Sequence, residues 1–260
     1  ATPLQALQAV APAGSLIFDP PSTGHLFDVA DSDDYTIALD AGQTASVRVT
    51  PAAAGLAIQV ELVDADGNVL GTASAGAGDS VLLQNVAIAT EATYTVRVTS
   101  LAGSGSYTSQ VVLNAQLEGE AWGGADNGTL AEAEDIDGAA VALVGGADRL
   151  AVLADGATGA DWYRFSLSAG QSASLAVTRT DQPAGSGLQL ALYDADGALL
   201  ATGIADAGNV DQSISGYIAS ATGSYYVRVV SAASLPYSLV VSRGAEFGLE
   251  LNERVQDISA

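Results

Sequence analysis

Short runs in which apolar and polar positions alternate are the dominant pattern along this chain. An alternation of period two places successive side chains on opposite faces of a strand, so each run predicts a β-strand with one buried face. The runs are separated by turn residues, above all Gly, Asp and Asn. The clearest inward sets are Tyr35, Ile37 and Leu39; Ile58, Val60 and Leu62; and Tyr94, Val96 and Val98.

The same series of runs occurs twice. The stretch that begins at Asp161 repeats the stretch that begins at Asp33, an offset of 161 − 33 = 128 residues. Five strands and two turn motifs then recur in the same order, which indicates two copies of one structural unit. The matching inward sets are Tyr163, Phe165 and Leu167; Leu188, Leu190 and Leu192; and Tyr225, Val227 and Val229.

Seven or eight short strands in each copy predict an all-β fold of two tandem antiparallel β-sandwich domains, jelly-roll or Greek-key-like in connection. The expected first module spans residues 1–117 and the second 118–245, with an acidic linker at its start. Residues 246–260 are interpreted as the start of a further unit or a cap. Two short helices are also expected, one over Leu4 to Val10 and, as an alternative to an edge strand, one turn at 130–136.

Composition narrows the function more than any single residue does. The chain has 30 acidic and 8 basic residues, a net charge of −22, which disfavours nucleic acid and anionic membranes as partners. There is no Cys, and no apolar run reaches the ~18 residues that a membrane span requires. The chain reads as a piece of a larger exported bacterial protein, so we expect it to be secreted or at the cell surface.

No catalytic arrangement can be identified. The chain has one histidine, His25, and no Lys, so its Ser and Thr hydroxyls have no base to activate them. The motif at Asp64–Gly67 and 194–197 resembles the start of a calcium loop but is better explained as a hairpin turn. Arg97 and Arg228 occupy equivalent outward positions, and pairing with nearby carboxylates is expected for both. The sequence therefore predicts a non-enzyme.

Three stretches carry a resemblance to a known family: 161–171 (DWYRFSLSAGQ), the turn at 192–197 (LYDADG), and 223–229 (GSYYVRV). Together they resemble the bacterial pre-peptidase C-terminal domain family, β-sandwich modules attached to secreted proteases and related to the collagen-binding domain of clostridial collagenases. The second copy carries the fuller pattern. The first has Asp34 in place of Trp162 and lacks the acidic segment.

The resemblance implies a calcium site where the acidic segment enters the sandwich. Carried onto this chain, the candidate ligands are Glu118, Glu120, Asp126, Asn127 and Asp161. Calcium prefers six to eight oxygen ligands, mostly carboxylate and carbonyl, so the chemistry is suitable, although a solvated acidic linker is the alternative. In the first module Asp31 and Asp33 are the only obvious carboxylates.

Trp122 and Trp162 are candidates for an aromatic binding surface, with packing against the acidic segment as the alternative. The resulting hypothesis is a non-catalytic extracellular accessory region, calcium-stabilised and attached to a polymer such as collagen, another protein or a polysaccharide. The alternative is a structural spacer repeat in a bacterial adhesin, surface fibre or surface layer, with neighbouring repeats as partners.

Overall fold

A computed structural model describes residues 1–4, 6–12, 15–19, 21–120, 124–156, 159–181, 187–205, 208–231 and 233–246. These residues form β-strands and two short 3-10 helices, and the strands are mostly antiparallel. The prediction of an all-β, sandwich-type chain is therefore confirmed. The described part of the chain contains no helix with the length and hydropathy that crossing a membrane requires.

The first sandwich consists of two sheets in the orders β1-β3-β8-β5-β6 and β2-β9-β4-β7. Its apolar core lies between them, because alternate residues of each strand point inward. The strands are β1 (Thr2–Pro3), β2 (Pro21–Leu26), β3 (Ser32–Leu39), β4 (Thr44–Pro51), β5 (Ala57–Val63), β6 (Val69–Ser74), β7 (Val81–Ala87), β8 (Ala92–Ala102) and β9 (Gly105–Leu113).

The second sandwich repeats this plan, with sheets in the orders β10-β13-β20-β15-β18 and β11-β14-β19-β16-β17 around a second core. Short 3-10 helices cover Leu130–Glu132 and Asp137–Ala139. The strands are β10 (Gln116–Leu117), β11 (Glu134–Asp135), β12 (Val141–Ala142), β13 (Asp148–Ala154), β14 (Gly159–Leu167), β15 (Ser172–Arg179), β16 (Leu188–Tyr193), β17 (Leu199–Thr202), β18 (Gln212–Ile218), β19 (Gly223–Ser231) and β20 (Tyr237–Arg243).

The two Asp-Ala-Asp-Gly motifs are hairpin turns, as the sequence predicts. The Asp64 carboxylate accepts hydrogen bonds from the backbone N–H groups of Asp66 and Asn68, and Gly67 has a φ of 87°. Asp194 accepts from the equivalent amides in the second sandwich. A side chain that caps its own turn supplies the local reason for the hairpin, so no metal is needed there.

The expected helix over Leu4 to Val10 is wrong for the described residues of that segment. Thr2 and Pro3 instead pair in parallel with β3, and Ala9 forms an isolated bridge with Phe18. The backbone groups of this segment bond to the edges of existing structure, and Val10 packs between the two sandwiches, so tertiary contacts override the helical spacing. The segment at 130–136 forms both expected elements, a 3-10 turn followed by an edge strand.

One sheet of each sandwich packs against the other sandwich through a third apolar cluster. Val112 of β9 and Ala151 and Val240 of the second sandwich are fully buried in it, because their side chains point away from their own cores. Arg48 and Asp155 form an ion pair of 2.8 Å across the same junction. The sheets thus form four layers, and the segment that enters the second sandwich starts at this junction.

Candidate functional site

The structure brings the five predicted ligands into one region where the acidic segment meets strand β14. Glu118 directly follows β10, Asn127 lies in the loop before the first 3-10 helix, and Asp161 is on β14. These three side chains are buried, with 1%, 1% and 3% of their surface exposed. The other two lie nearer the surface: Glu120 accepts the N–H of Asn127 at 3.4 Å, and Asp126 accepts the N–H of Gly128 at 2.7 Å.

Two tyrosines that the sequence does not mark as site residues connect the buried acids. The Tyr163 hydroxyl lies 2.7 Å from Glu118 Oε1 and 2.7 Å from the Tyr237 hydroxyl. Tyr237 donates to Asp161 Oδ2 at 2.6 Å. Glu118, Tyr163, Tyr237 and Asp161 therefore form one continuous chain of hydrogen bonds inside the sandwich, named here the tyrosine chain.

The tyrosine chain needs a proton that the tyrosines do not supply. It contains three short oxygen–oxygen contacts, and the two phenols provide only two protons. All three contacts are hydrogen bonds when Glu118 is protonated and donates to Tyr163, which then donates to Tyr237. Burial, the largest cause, and the nearby charge of Asp161 together raise the pKa of Glu118 to about 7, in agreement with this proton count.

Two buried oxygen atoms in this region have no hydrogen-bond donor among the described residues, Glu118 Oε2 and Asn127 Oδ1. A buried acceptor without a donor is costly, about 1–3 kcal/mol, and is a recognised place for an ion or a water molecule. Burial raises the pKa of Asp161, and the charges of Glu120 and Asp126 add to the effect of burial. Crowded carboxylates of this kind favour a proton or a cation.

No group of three or more His, Cys, Asp or Glu side chains in the described part of the chain is already arranged around a metal position. Glu118 and Asp161 each point one carboxylate oxygen at a tyrosine hydroxyl instead. The candidate ligands nonetheless suit calcium, since they are carboxylate and amide oxygens. Two of these oxygens accept no hydrogen bond from the described residues. The five ligand assignments stay a prediction.

A second layer of hydrogen bonds ties this region to the first sandwich. Gln116 donates to Glu134 Oε1 at 2.7 Å and accepts from the amide of Asn85, on β7, at 2.6 Å. Glu134 also accepts the N–H of Gly119 at 3.4 Å. Both ends of Gln116 are therefore held, which fixes the backbone two residues before Glu118.

The first sandwich contains a shorter version of the tyrosine chain. Tyr107 donates to Asp33 Oδ2 at 2.7 Å and lies 2.7 Å from the Tyr35 hydroxyl, so two contacts are served by two phenolic protons. Gly24 lies against both hydroxyls, where a β-carbon would overlap them. Asp31, the other carboxylate considered there, accepts the N–H of Phe27 at 2.8 Å instead.

β1 of the first sandwich and β11 of the second sandwich occupy equivalent places beside the strand that carries the first tyrosine. Thr2 pairs with Tyr35 in the same parallel register in which Glu134 pairs with Tyr163. The two sandwiches differ in the acid that completes the chain, not in the tyrosines.

Trp162 lies half-buried on the outer face of the second sandwich, on the opposite side of β14 from the tyrosine chain. Its ring packs against Tyr193, with 4.9 Å between ring centroids, and the guanidinium of Arg228 lies 5.7 Å from its centre. Trp162 is also joined to the acidic segment, since its backbone N–H donates to the Asn127 backbone carbonyl at 2.9 Å. Trp122, the other aromatic candidate, lies outside the described residues.

The two outward arginines have different surroundings. The Arg97 guanidinium donates to Asp34 at 2.9 Å and lies 3.7 Å from Glu61, as expected. Arg228 has no carboxylate partner among the described residues, so the same expectation is wrong for it. Its neighbours across the sheet are Trp162 and Ala191, at the places that Asp34 and Glu61 occupy beside Arg97.

The chain has distant similarity to several solved structures. Two similar solved structures are the g-type lysozyme inhibitor PliG of Aeromonas hydrophila (15% identity, 43% of this chain, 94% of that chain, TM-score 0.32) and the pre-peptidase C-terminal domain of collagenase from Bacillus anthracis (17% identity, 36% of this chain, 88% of that chain, TM-score 0.30). No curated protein sequence matches the chain.

The family model for the bacterial pre-peptidase C-terminal domain matches residues 159–231. That range runs from the start of β14 to the end of β19, and so includes Asp161, Trp162, Tyr163 and Arg228. Within those bounds the second sandwich of this chain matches the model of the bacterial pre-peptidase C-terminal domain family.

Proposed function

We propose that this chain is a non-catalytic, extracellular accessory region of a larger secreted bacterial protein. In this proposal calcium stabilises the second sandwich, and its outer face attaches the protein to a polymeric substrate. The supporting observations are two features of the second sandwich. These are the buried acids around Glu118 and the aromatic face around Trp162, and both adjoin the range that matches the family.

The calcium part of the proposal rests on the unpartnered oxygens. Glu118, Asn127 and Asp161 would hold the ion, with Glu120 or Asp126 completing the oxygen shell from the surface side. A bound cation would compensate the negative charge that these side chains place inside the protein. Because Glu118 gives up its proton when it binds a cation, calcium affinity should increase as the pH rises through 7.

Thermal unfolding in EDTA and in millimolar calcium tests this part. Calcium should raise the melting temperature of the unmodified chain, whereas magnesium, which prefers a stricter octahedral shell, should do so less. Asp161→Asn should remove most of the calcium shift. Asp33→Asn at the equivalent place in the first sandwich should retain it. A calorimetric titration without heat, together with an unchanged melting temperature, would reject calcium.

Attachment to a polymer is supported by the aromatic and cationic surroundings of Trp162 on the outer face of the sheet. The test is retention of the whole chain on insoluble collagen and on polysaccharide beads, compared with Trp162→Ala. Retention that depends on Trp162 would support an accessory binding region. If the chain passes through every column, attachment is rejected.

The spacer alternative is supported by one observation, the buried junction between the sandwiches. Val112, Ala151 and Val240 make it continuous and apolar, as in a stiff unit of a longer fibre. A spacer should show a fixed, elongated shape in small-angle scattering and no retention on any polymer. Retention through Trp162 would contradict it.

A further inference from the structure

The two sandwiches present the same backbone surface with different side chains, which allows a direct comparison of their outer faces. On the first sandwich, Arg97 lies between Asp34 and Glu61 and is neutralised by them. On the second, Trp162 and Ala191 flank Arg228 in the same cross-strand row. The core around this row keeps its apolar character in both sandwiches, so the exchange is confined to the surface.

The exchange leaves Arg228 as a cation without an opposite charge among the described residues. Its Nε is buried and has no acceptor there, while its guanidinium carbon lies 5.7 Å from the centre of the Trp162 ring. An indole ring orients a guanidinium that lies over it. The N–H donors lie in the plane of the guanidinium and remain available to another acceptor. On a chain of net charge −22, a cation without a carboxylate partner is an unusual surface feature.

Ala191 occupies the place in the second sandwich that Glu61 occupies in the first, and its small side chain leaves space on the sheet face. A groove of about 360 Å³ lies over Ala191 beside Arg228. This volume is at the lower end of the ~300–1,000 Å³ that is usual for ligand sites. The side chains around the groove combine a cation, an aromatic ring, amides and a hydroxyl: Arg228, Tyr193, Gln189, Gln212 and Thr202.

We propose that this groove binds an acidic polysaccharide, with Arg228 pairing with a sugar carboxylate and Tyr193 packing against the sugar ring, while Trp162 supports both side chains from beside the groove. The proposal rests on the polymer attachment proposed above and specifies its chemistry. A guanidinium matches a carboxylate with two parallel N–H donors. The amide and hydroxyl side chains can donate to and accept from sugar hydroxyls, which themselves do both.

A polysaccharide fits this surface better than an extended peptide. The groove lies on a sheet face, where the backbone N–H and C=O groups of β16 and β19 are already paired with each other. A peptide that binds by adding a strand needs unpaired backbone groups at a sheet edge. Over β16 and β19 only side chains are available, and they are suited to rings, hydroxyls and a carboxylate.

The test uses the whole chain, with polygalacturonate as the acidic polysaccharide and its fully methyl-esterified form as the uncharged control ligand. Isothermal titration in moderate salt, which screens the repulsion between the polymer and a chain of net charge −22, should show binding to polygalacturonate and little binding to the ester. Arg228→Gln should weaken binding at least about tenfold, since a hydrogen-bonded charge pair is lost. Arg97→Gln, the matched change on the first sandwich, should leave binding unchanged.

A second variant, the clamp variant, gives Arg228 the two carboxylate neighbours that Arg97 has in Asp34 and Glu61. Trp162→Asp combined with Ala191→Glu should pair Arg228 internally and fill the groove, so binding should be lost although Arg228 is still present. Circular dichroism and the melting temperature check that both variants fold. If the clamp variant does not fold, Arg228→Gln alone decides.

Three results would overturn the inference: no binding of polygalacturonate, equal binding by Arg228→Gln, or equal binding of poly-L-glutamate, which would make the site a general acidic-peptide site. Retention on collagen or neutral polysaccharide beads without polygalacturonate binding would overturn this inference and leave the proposed function standing. Absence of retention on every polymer would overturn both.

Discussion

Glu118→Gln should stabilise the metal-free protein at alkaline pH, although it alters a buried hydrogen-bonded side chain. Glutamine keeps the size of the side chain and its Oε1, which faces the Tyr163 hydroxyl. It removes the charge that the buried carboxylate acquires when it loses its proton. The effect should therefore depend on pH, and the proton count of the tyrosine chain determines its sign.

Glu118 has a pKa of about 7 in the folded protein and an ordinary value of 4.5, so between these two pH values the folded state holds more protons than the unfolded state. Unfolding then becomes easier as the pH rises. The stability that the proton provides is fully present below pH 4.5 and is lost as the pH passes 7. At ~1.36 kcal/mol per pKa unit, the loss is about 3 kcal/mol.

Denaturant unfolding in EDTA at pH 4.5 and pH 8 measures this difference. At pH 8, Glu118→Gln should exceed the unmodified chain by up to about 3 kcal/mol in free energy of unfolding, and at pH 4.5 the two should agree closely. Glu91→Gln, at an exposed carboxylate, controls for the change in net charge. In saturating calcium the order should reverse, because only the unmodified chain has the carboxylate that the ion needs.

The reasoning is refuted if Glu118→Gln is less stable than the unmodified chain at pH 8 in EDTA. It is also refuted if the difference between the two proteins is the same at both pH values. Either result would mean that Glu118 is ionised in the folded protein and that the third contact of the tyrosine chain is not a hydrogen bond.

Three further predictions concern the fold. Gly24→Ala should destabilise the first sandwich by about 1–3 kcal/mol in denaturant unfolding, because its methyl group overlaps the Tyr107 hydroxyl, whereas Gly55→Ala, in open space, should not; equal effects would contradict this. Calorimetry should show one unfolding transition for the unmodified chain and two for Val112→Asp, because the mutation places a charge in the buried junction. Two transitions for the unmodified chain would contradict this and show that the sandwiches unfold independently. Arg149→Met should leave the free energy of unfolding unchanged or raise it by about 1–4 kcal/mol. Burial lowers the pKa of Arg149 to about 10, and no carboxylate partner for it is found among the described residues. A large loss of stability would show that this guanidinium is paired in solution.

The sequence determined the elements of this protein and their repetition. Alternation in a strand depends on neighbours two residues apart, so the inward sets around Tyr35, Ile58 and Tyr163 could be identified locally. The turn at Asp64 is equally local, since its carboxylate caps amides within four residues. The family resemblance depended on such short stretches, and the family match covers the same part of the chain.

Only the tertiary structure decided which residues act together. Tyr163 and Tyr237 carry ordinary inward-facing positions in the sequence and are 74 residues apart, yet their hydroxyls meet because β14 and β20 lie in facing sheets. The duplicated tyrosines of the first copy were the signal that could have found them. The helix expected at Leu4 failed for the same reason, since contacts with distant strands outweighed local spacing.

The two arginines show the limit most clearly. Arg97 and Arg228 stand in nearly identical local sequences, so the alternation predicts the same outward position for both. Their surroundings come from cross-strand register with residues more than 30 positions away, which places Asp34 and Glu61 beside one and Trp162 and Ala191 beside the other. The sequence by itself determined that each arginine faces outward; the pairing of strands decided that one is neutralised by carboxylates and the other lies beside a tryptophan ring.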